Sequence, residues 1–382
     1  MANFLINAGS IIASIAVPLA QLAAEQKGAT TSFSMGIGGA MANYKDFNAG
    51  GSVPHVAFFD VNGGRIGQYK GNANGHLDQN FDWEQSIHND QTSPKGKAVQ
   101  PEYISVVAQE KDAICISYIY ASGNGAQYAW YGDMGYTCGA DWHYSNFTVG
   151  DGHYQPKCVW IDSDHSNGLR YKGLSLHFPD FTASQTGQQD EYNTNLDTLC
   201  KSDARMKFYP DTVPDALIPI FSPPLTYNTD GSDTDPKRVI NKGKRSTMES
   251  RRPLKRDVLP GRLLGDGHLI VSHFESHSAK DLCESESSIG ADFVSTVEGI
   301  YCDMACKEWW PVCTPSLVTG CFDLTKKAVV GGVPGNSGYH NSTVSHGNGT
   351  ITHGNGTYIH ARDAATGRVI PTKNYDTSVV WG

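Results

Sequence analysis

The chain has 382 residues, of which 18% are charged, with 41 glycines, 18 prolines, 18 tyrosines and nine cysteines. Globular chains average about 25% charged residues, so this one is charge-poor and turn-rich, which excludes a coiled coil, a helical solenoid and a charge-driven disordered protein. Its net charge of −9 gives no electrostatic reason to expect nucleic acid as a partner.

Residues 1–24 read as a secretory signal peptide. Phe4 to Ala24 carry no charge and are rich in Leu, Ile, Ala and Val, with cleavage expected between Ala20 and Ala24. Asn7, Ser10, Ser14, Pro18 and Gln21 make the run too polar for a membrane span, and only the terminal amine supplies positive charge ahead of it. No later segment is long and apolar enough to cross a bilayer, so a secreted, extracellular protein without a transmembrane segment is expected.

Residues 28–225 predict an antiparallel β-sandwich. Short apolar runs such as Val53–Phe59, Tyr103–Val107, Ala113–Tyr120 and Tyr128–Tyr131 recur between Gly, Asn and Asp turns. Asn62-Gly-Gly64 after Phe58 and Phe59 is a hairpin signal. The prolines from Pro210 to Pro224 predict an irregular, extended run.

Residues 226–262 read as a basic linker. Lys237 to Arg262 holds ten basic residues against Glu249 and Asp257, a net +8, so the rest of the chain carries −17. Lys244-Arg245 and Lys255-Arg256 are paired basic sites of the kind that processing proteases cut, after Arg245 and Arg256. Residues 263–330 read as a small disulfide-rich α+β module, with a strand at Leu269–Val271 and a short helix capped by Ser278. Residues 331–382 read as a glycosylated tail, of which 361–382 hold enough apolar side chains (Ile370, Val379, Val380, Trp381) to dock back as a strand.

Asn146, Asn341, Asn348 and Asn355 begin Asn-x-Ser/Thr sequons, the last three spaced by seven residues. Cys115, Cys138, Cys158, Cys200, Cys283, Cys302, Cys313 and Cys321 read as disulfide cysteines, their pairing open, and one of Cys302 and Cys306 as the odd thiol.

Three clusters are candidates for chemistry. His273, Glu275 and His277 would share one face of a strand and could ligate a metal; polar residues at a domain edge are the plainer reading. Asp162-Ser-Asp-His-Ser-Asn-Gly168 starts like a calcium loop, but Asn167 sits where glycine belongs and Gly173 where glutamate belongs, so an Asx-rich turn is expected. Tyr128, Trp130, Trp142 and Tyr144 belong to an aromatic-rich stretch that would suit sugar stacking if exposed and strand packing if not. No G-x-S-x-G elbow or phosphate-cradling glycine loop occurs, and the sequence names no cofactor.

Asp112-Ala-Ile-Cys-Ile116, Cys158-Val-Trp-Ile-Asp-Ser-Asp-His-Ser-Asn-Gly168 and Ser272-His-Phe-Glu-Ser-His-Ser-Ala279 together resemble an uncharacterised family of secreted proteins from filamentous ascomycete fungi. The likeness covers roughly residues 50–325 without the linker. It implies extracellular fungal origin and transfers no site residue. The expected function is non-catalytic binding at a surface (a glycan, a cell wall or a host) as a wall component, effector or toxin-like factor. The alternative is a secreted hydrolase, with His273, Glu275 and His277 as the candidate ligands of a catalytic metal.

Overall fold

The computed structural model describes residues 30–39, 49–72, 74–91, 99–149, 154–181, 186–238, 267–305, 307–330, 351–353, 356–358, 361–362, 369–370 and 373–382. The expected signal segment, Arg245, Arg256, Asn341, Asn348, Asn355 and Cys306 lie outside the described residues. Strand occupies 40% and helix 11%, so the protein is mainly β, as its turn-rich sequence predicts. It divides into two compact units, whose described residues are 30–238 and 267–382.

The first unit contains, in chain order, β1 (Thr30–Ile37), β2 (Gly51–Ser52), β3 (His55–Phe59), β4 (Arg65–Tyr69), β5 (His76–Leu77), β6 (Phe81–His88), β7 (Tyr103–Val107), β8 (Ile114–Gly123), β9 (Ala126–Tyr131), β10 (Trp142–His143), β11 (Cys158–Ile161), β12 (Gly173–His177) and β13 (Met206–Tyr209). One antiparallel sheet has the order β10-β11-β8-β1-β6, with β9 also on β8; a second runs β13-β12-β7-β3-β4. The Asn62-Gly-Gly64 signal makes the β3–β4 hairpin. Asp60 Oδ1 accepts from the Asn62 and Gly64 amides, and Gly63 takes φ 77°, which favours glycine.

The sandwich core is built from alternate residues of the facing strands. Phe33 of β1 meets Phe58 of β3 edge-on at 5.8 Å and Trp83 of β6 at 5.5 Å. Trp130 of β9 donates Nε1–H to Met206 Sδ of β13 at 3.4 Å, joining the two sheets. The outer faces are covered in part as well, over β8 and β9 in one sheet and β3 and β7 in the other. On the first sheet, Tyr118, Tyr120, Ala129 and Tyr131 pack with Val149, Phe147 and Tyr154. Gly36 lets Tyr118 lie against β1, since a Cβ there would stand 2.4 Å from the ring. On the second sheet, Ile218 and Ile220 of the proline-rich run lie on Ala57, Phe59 and Tyr103. That is why β8 is buried along nearly its whole length rather than alternating.

Cys115–Cys158 ties β8 to β11, and Cys138–Cys200 ties the ends of the helices Gly132–Thr137 and Asp197–Cys200. The sequence places the linker from residue 226, but residues 226–238 belong to this unit. Tyr227 OH donates to Asp180 Oδ1 at 2.8 Å, and Asp233 is buried against Arg205.

The second unit contains β14 (His268–Ser272), β15 (Asp292–Ser295), β16 (Ile300–Asp303), β17 (Glu308–Pro311), β18 (Cys321–Asp323), β19 (Ala328–Val330), β20 (Ile351–His353), β21 (Gly356–Tyr358), β22 (Ala361–Arg362), β23 (Val369–Ile370) and β24 (Thr377–Trp381). Its main sheet has the order β17-β16-β15-β14-β24, with β14 parallel to both β15 and β24. A parallel pair needs a crossover, and the helix Ala279–Glu284 supplies it. Ser278 caps that helix, its Oγ accepting from the Asp281 amide at 3.0 Å. Leu269, Val294, Tyr301, Trp310 and Phe322 form a core. Cys283–Cys302 staples the helix to β16, and Cys313–Cys321 closes the turn between β17 and β18. The C-terminal strand therefore belongs to this unit and not to a tail. Cys302, one of the two candidates for the odd thiol, is paired.

Candidate functional site

The aromatic candidates for sugar stacking are all interior. Tyr128 is 3% exposed, Trp130 and Trp142 0% and Tyr144 2%, so none presents a face to a ligand. Tyr128 stacks on Phe178 with centroids 5.2 Å apart, and its hydroxyl accepts from Gln100 Nε2 at 2.5 Å. Trp142 and Tyr144 form, with Tyr136, a cage round the buried Lys157 ammonium. Nζ lies 4.5 Å from the Tyr136 ring centroid, 5.1 Å from that of Tyr144 and 5.4 Å from that of Trp142, with Asp133 Oδ1 at 3.8 Å. These rings hold a cation of the protein itself. Burial pushes the Asp133 carboxyl up, and Lys157 opposes that shift.

The H-x-E-x-H residues do not share a strand face, because β14 ends at Ser272. His273 is exposed, its Nδ1 bonded to Thr296 Oγ1 at 2.7 Å, and Glu275 is exposed. His277 is 1% exposed and turns inward, with Nδ1 2.8 Å from Ser272 Oγ and its ring among Phe274, Phe293 and Trp381. A serine and a histidine at that distance have the spacing of a nucleophile and its base. Here both are sealed from solvent by the aromatic side chains, and the pair closes the end of β14. Among the described residues, no three or more His, Cys, Asp or Glu are gathered to hold a metal.

The densest polar constellation gives no local signal in the sequence. It lies where β12, the turn Phe178–Phe181, the helix Thr186–Thr194, β13 and residues 226–238 converge. Asp180, fully buried, accepts from His177 Nδ1 at 2.8 Å, Tyr192 OH at 2.9 Å, Tyr227 OH at 2.8 Å and Arg205 Nη1 at 2.5 Å. Arg205 Nη2 donates to Asp233. Burial alone would raise the Asp180 carboxyl; Arg205 and His177 outweigh it and hold it below the usual carboxylate range. Glu102, 3.9 Å from His177 Nε2, is raised by burial, and burial pushes the Tyr103 hydroxyl up to about 12. A histidine between two carboxylates is the form of an acid–base site. This one is roofed by Tyr103, Phe221 and Tyr227, and its hydrogen bonds fasten residues 221–233 to the sandwich. Its only sequence trace is His177 and Asp180, three residues apart.

The open polar surface that remains legible is the outward row of β6. Asp82, Glu84, Ser86 and His88 are exposed while Trp83 and Ile87 point inward. Asp82 Oδ1 is fixed by Ser34 Oγ of the neighbouring β1 and by Tyr118 OH of β8, the strand beyond it, at 2.5 Å. Asn146, the one sequon asparagine among the described residues, is partly exposed. Its amide donates to Gly39 O at 3.1 Å, and Thr148 of the same sequon is exposed.

No family model matches the chain, and no curated protein matches it. Matches among solved structures include a crystal structure described as "Delta413-417:GS LOX", 8% identical, with a TM-score of 0.18, covering 36% of this chain and 17% of that one. The chain thus spans less than a fifth of that structure, and a likeness of this size carries no argument about fold or activity.

Proposed function

We propose that the chain is a secreted, non-catalytic fungal glycoprotein that acts by binding at a surface outside the cell, as a wall component, effector or toxin-like factor. The observation that carries this reading is the set of four disulfides, two in each unit. Disulfides persist in oxidising compartments and serve small modules that lack a large core. The sequon at Asn146 and the absence, among the described residues, of a helix long and apolar enough to cross a membrane accord with it. The ligand class we assign is a glycan, met at the outward row of β6. There the carboxylates of Asp82 and Glu84 and the hydroxyl of Ser86 stand exposed on one side of the strand, groups that accept from and donate to sugar hydroxyls.

The test is retention of the purified chain on cell-wall polysaccharides, beside its Asp82→Ala and Glu84→Ala variants. Retention by the wild type that both variants lose is expected. Absence of retention on any polysaccharide would overturn the glycan assignment. Chelator-sensitive turnover of polysaccharides or esters would replace the whole reading by a hydrolase. Cleavage after Arg245 or Arg256 is part of the same proposal.

A further inference from the structure

The loop from Asp162 to Gly168, between β11 and β12, has oxygen-bearing side chains at alternate positions: Asp162, Asp164 and Ser166. Asparagine at 167 is the sequence objection to a calcium loop, because the chain must turn there through positive φ. Asn167 makes that turn, with φ 56° and ψ 19°. His165 (φ 59°) and Gly168 (φ 78°) also adopt positive φ. Asparagine tolerates this region better than most side chains. The winding sets the three side chains together: Ser166 Oγ donates to Asp162 Oδ2 at 2.8 Å, and the Ser166 amide donates to Asp164 Oδ1 at 3.1 Å.

A separate observation points to a ligand. Asp162 is 0% exposed, and its Oδ1 has no hydrogen-bond partner among the described residues. The Asp164 carboxylate, a like charge, lies within electrostatic reach of it. Arg170, which follows the loop, is committed elsewhere, donating to Asp141 and to Gly139 O. The His165 ring is bonded at Nδ1 to Leu169 O. A buried carboxylate oxygen without a donor, facing a second carboxylate, is costly unless a cation or a proton lies between them.

We propose that Asp162, Asp164 and Ser166 are ligands of a calcium ion. The donors are all hard oxygens, and calcium accepts six to eight of them in flexible geometry, the remainder supplied by loop carbonyls and water. With two carboxylates and Gly173 in place of a bidentate glutamate, the site belongs to the weak class of extracellular modules, with a dissociation constant of about 10⁻⁴ to 10⁻³ M.

The experiment is thermal unfolding of the full chain with 0 to 10 mM calcium or magnesium, beside Asp164→Asn and the control Asp230→Asn. Asp164 is exposed, so its variant folds. Asp230 sits in another acidic turn, bonded to the Ser232 amide and hydroxyl. Terbium luminescence gives a second readout of the loop. Expected is a rise in Tm of about 4 °C at ten times the dissociation constant. Calcium should exceed magnesium, and Asp164→Asn should lose both the rise and the terbium signal while Asp230→Asn keeps them. No calcium-dependent rise in the wild type would overturn the proposal, as would an equal rise in Asp164→Asn or an equal effect of magnesium.

Discussion

Replacing Arg205 with leucine tests whether the buried network fastens residues 221–233 to the sandwich. Arg205 is 0% exposed and is paired with two carboxylates that are themselves buried, Asp180 and Asp233. Its removal leaves Asp180 with three neutral or weakly basic donors and Asp233 without its guanidinium. Breaking a buried ion pair from one side costs about 3–5 kcal/mol, more than the pair contributes net, because the remaining charge stays desolvated. Against a typical total of about 5–15 kcal/mol, that is a large share. With a urea slope of about 2 kcal/mol/M, the midpoint falls by about 2 M. The pH dependence fixes the cause. In the wild type the Asp180 carboxyl lies below its unfolded value, so its stabilisation is present above that value and is lost as pH falls through the folded one. In Arg205→Leu the opposing cation is gone and burial raises the same carboxyl, so the folded variant takes up protons at mild acidity. The deficit should therefore be largest at pH 7 and shrink toward pH 4.5. Urea unfolding followed by tryptophan fluorescence at both pH values reads it. A loss under about 1 kcal/mol at pH 7, or a deficit equal at both, would refute the argument.

Removing Cys138–Cys200 by a double serine substitution should cost about 4 kcal/mol, against about 2.5 kcal/mol for Cys313–Cys321, because the closed loops span 62 and 8 residues; denaturant midpoints of the two variants check the order. Trp142→Ala should lower stability by about 3–5 kcal/mol by opening the Lys157 cage. Lost glycan retention at unchanged Tm would instead restore the stacking reading. Lys373→Met removes the ammonium that bridges Asp292 at 2.7 Å and Asp303 at 2.6 Å ahead of β24. It should destabilise the second unit by about 3 kcal/mol, read by hydrogen exchange at β14 and β24. If the chain is cut after Arg245 or Arg256, its two parts should separate on a gel without reductant, since all four disulfides join cysteines of the same unit.

The strands and their turns were legible because their causes are local. Val56, Phe58, Ile104, Val106 and Ile119 are β-branched or aromatic residues on a pleat, and Asn62-Gly-Gly64 and Ser278 carry their own turn and cap chemistry. The fate of the aromatics was not legible. A strand buried on both faces and a strand with an exposed stacking face share one sequence pattern, and only the cover distinguishes them. For Tyr118 and Tyr131 the cover is Phe147, Val149 and Tyr154; for Tyr103 it is Ile218 and Ile220, more than a hundred residues away. The Arg205 network was hidden for the same reason, its partners lying 25 and 28 residues from it. The Asp162 loop is the Asx-rich turn that its residues predict, the Ser166 amide donating to Asp164 Oδ1, and Asn167 supplies the positive φ that glycine would otherwise give.

The charge-poor composition makes the placement of the buried and half-buried cations informative. Lys157, Arg205 and Lys373 are each paired with aspartate, and each stands where irregular chain meets a sheet: Lys157 at the entry to β11, Arg205 beneath residues 226–238, Lys373 ahead of β24. Apolar burial is non-directional, so it drives a proline-rich or glycine-rich segment onto a sheet without fixing where it lies. A guanidinium or ammonium between two oxygens does fix the place, because any slip strands a desolvated charge. The energetic asymmetry points the same way: such a pair adds little net stability when intact and costs several kcal/mol when broken. Its effect therefore falls on alternative dockings more than on the native one. In a chain with few helices and long irregular connections, that selection is what the sheets alone lack.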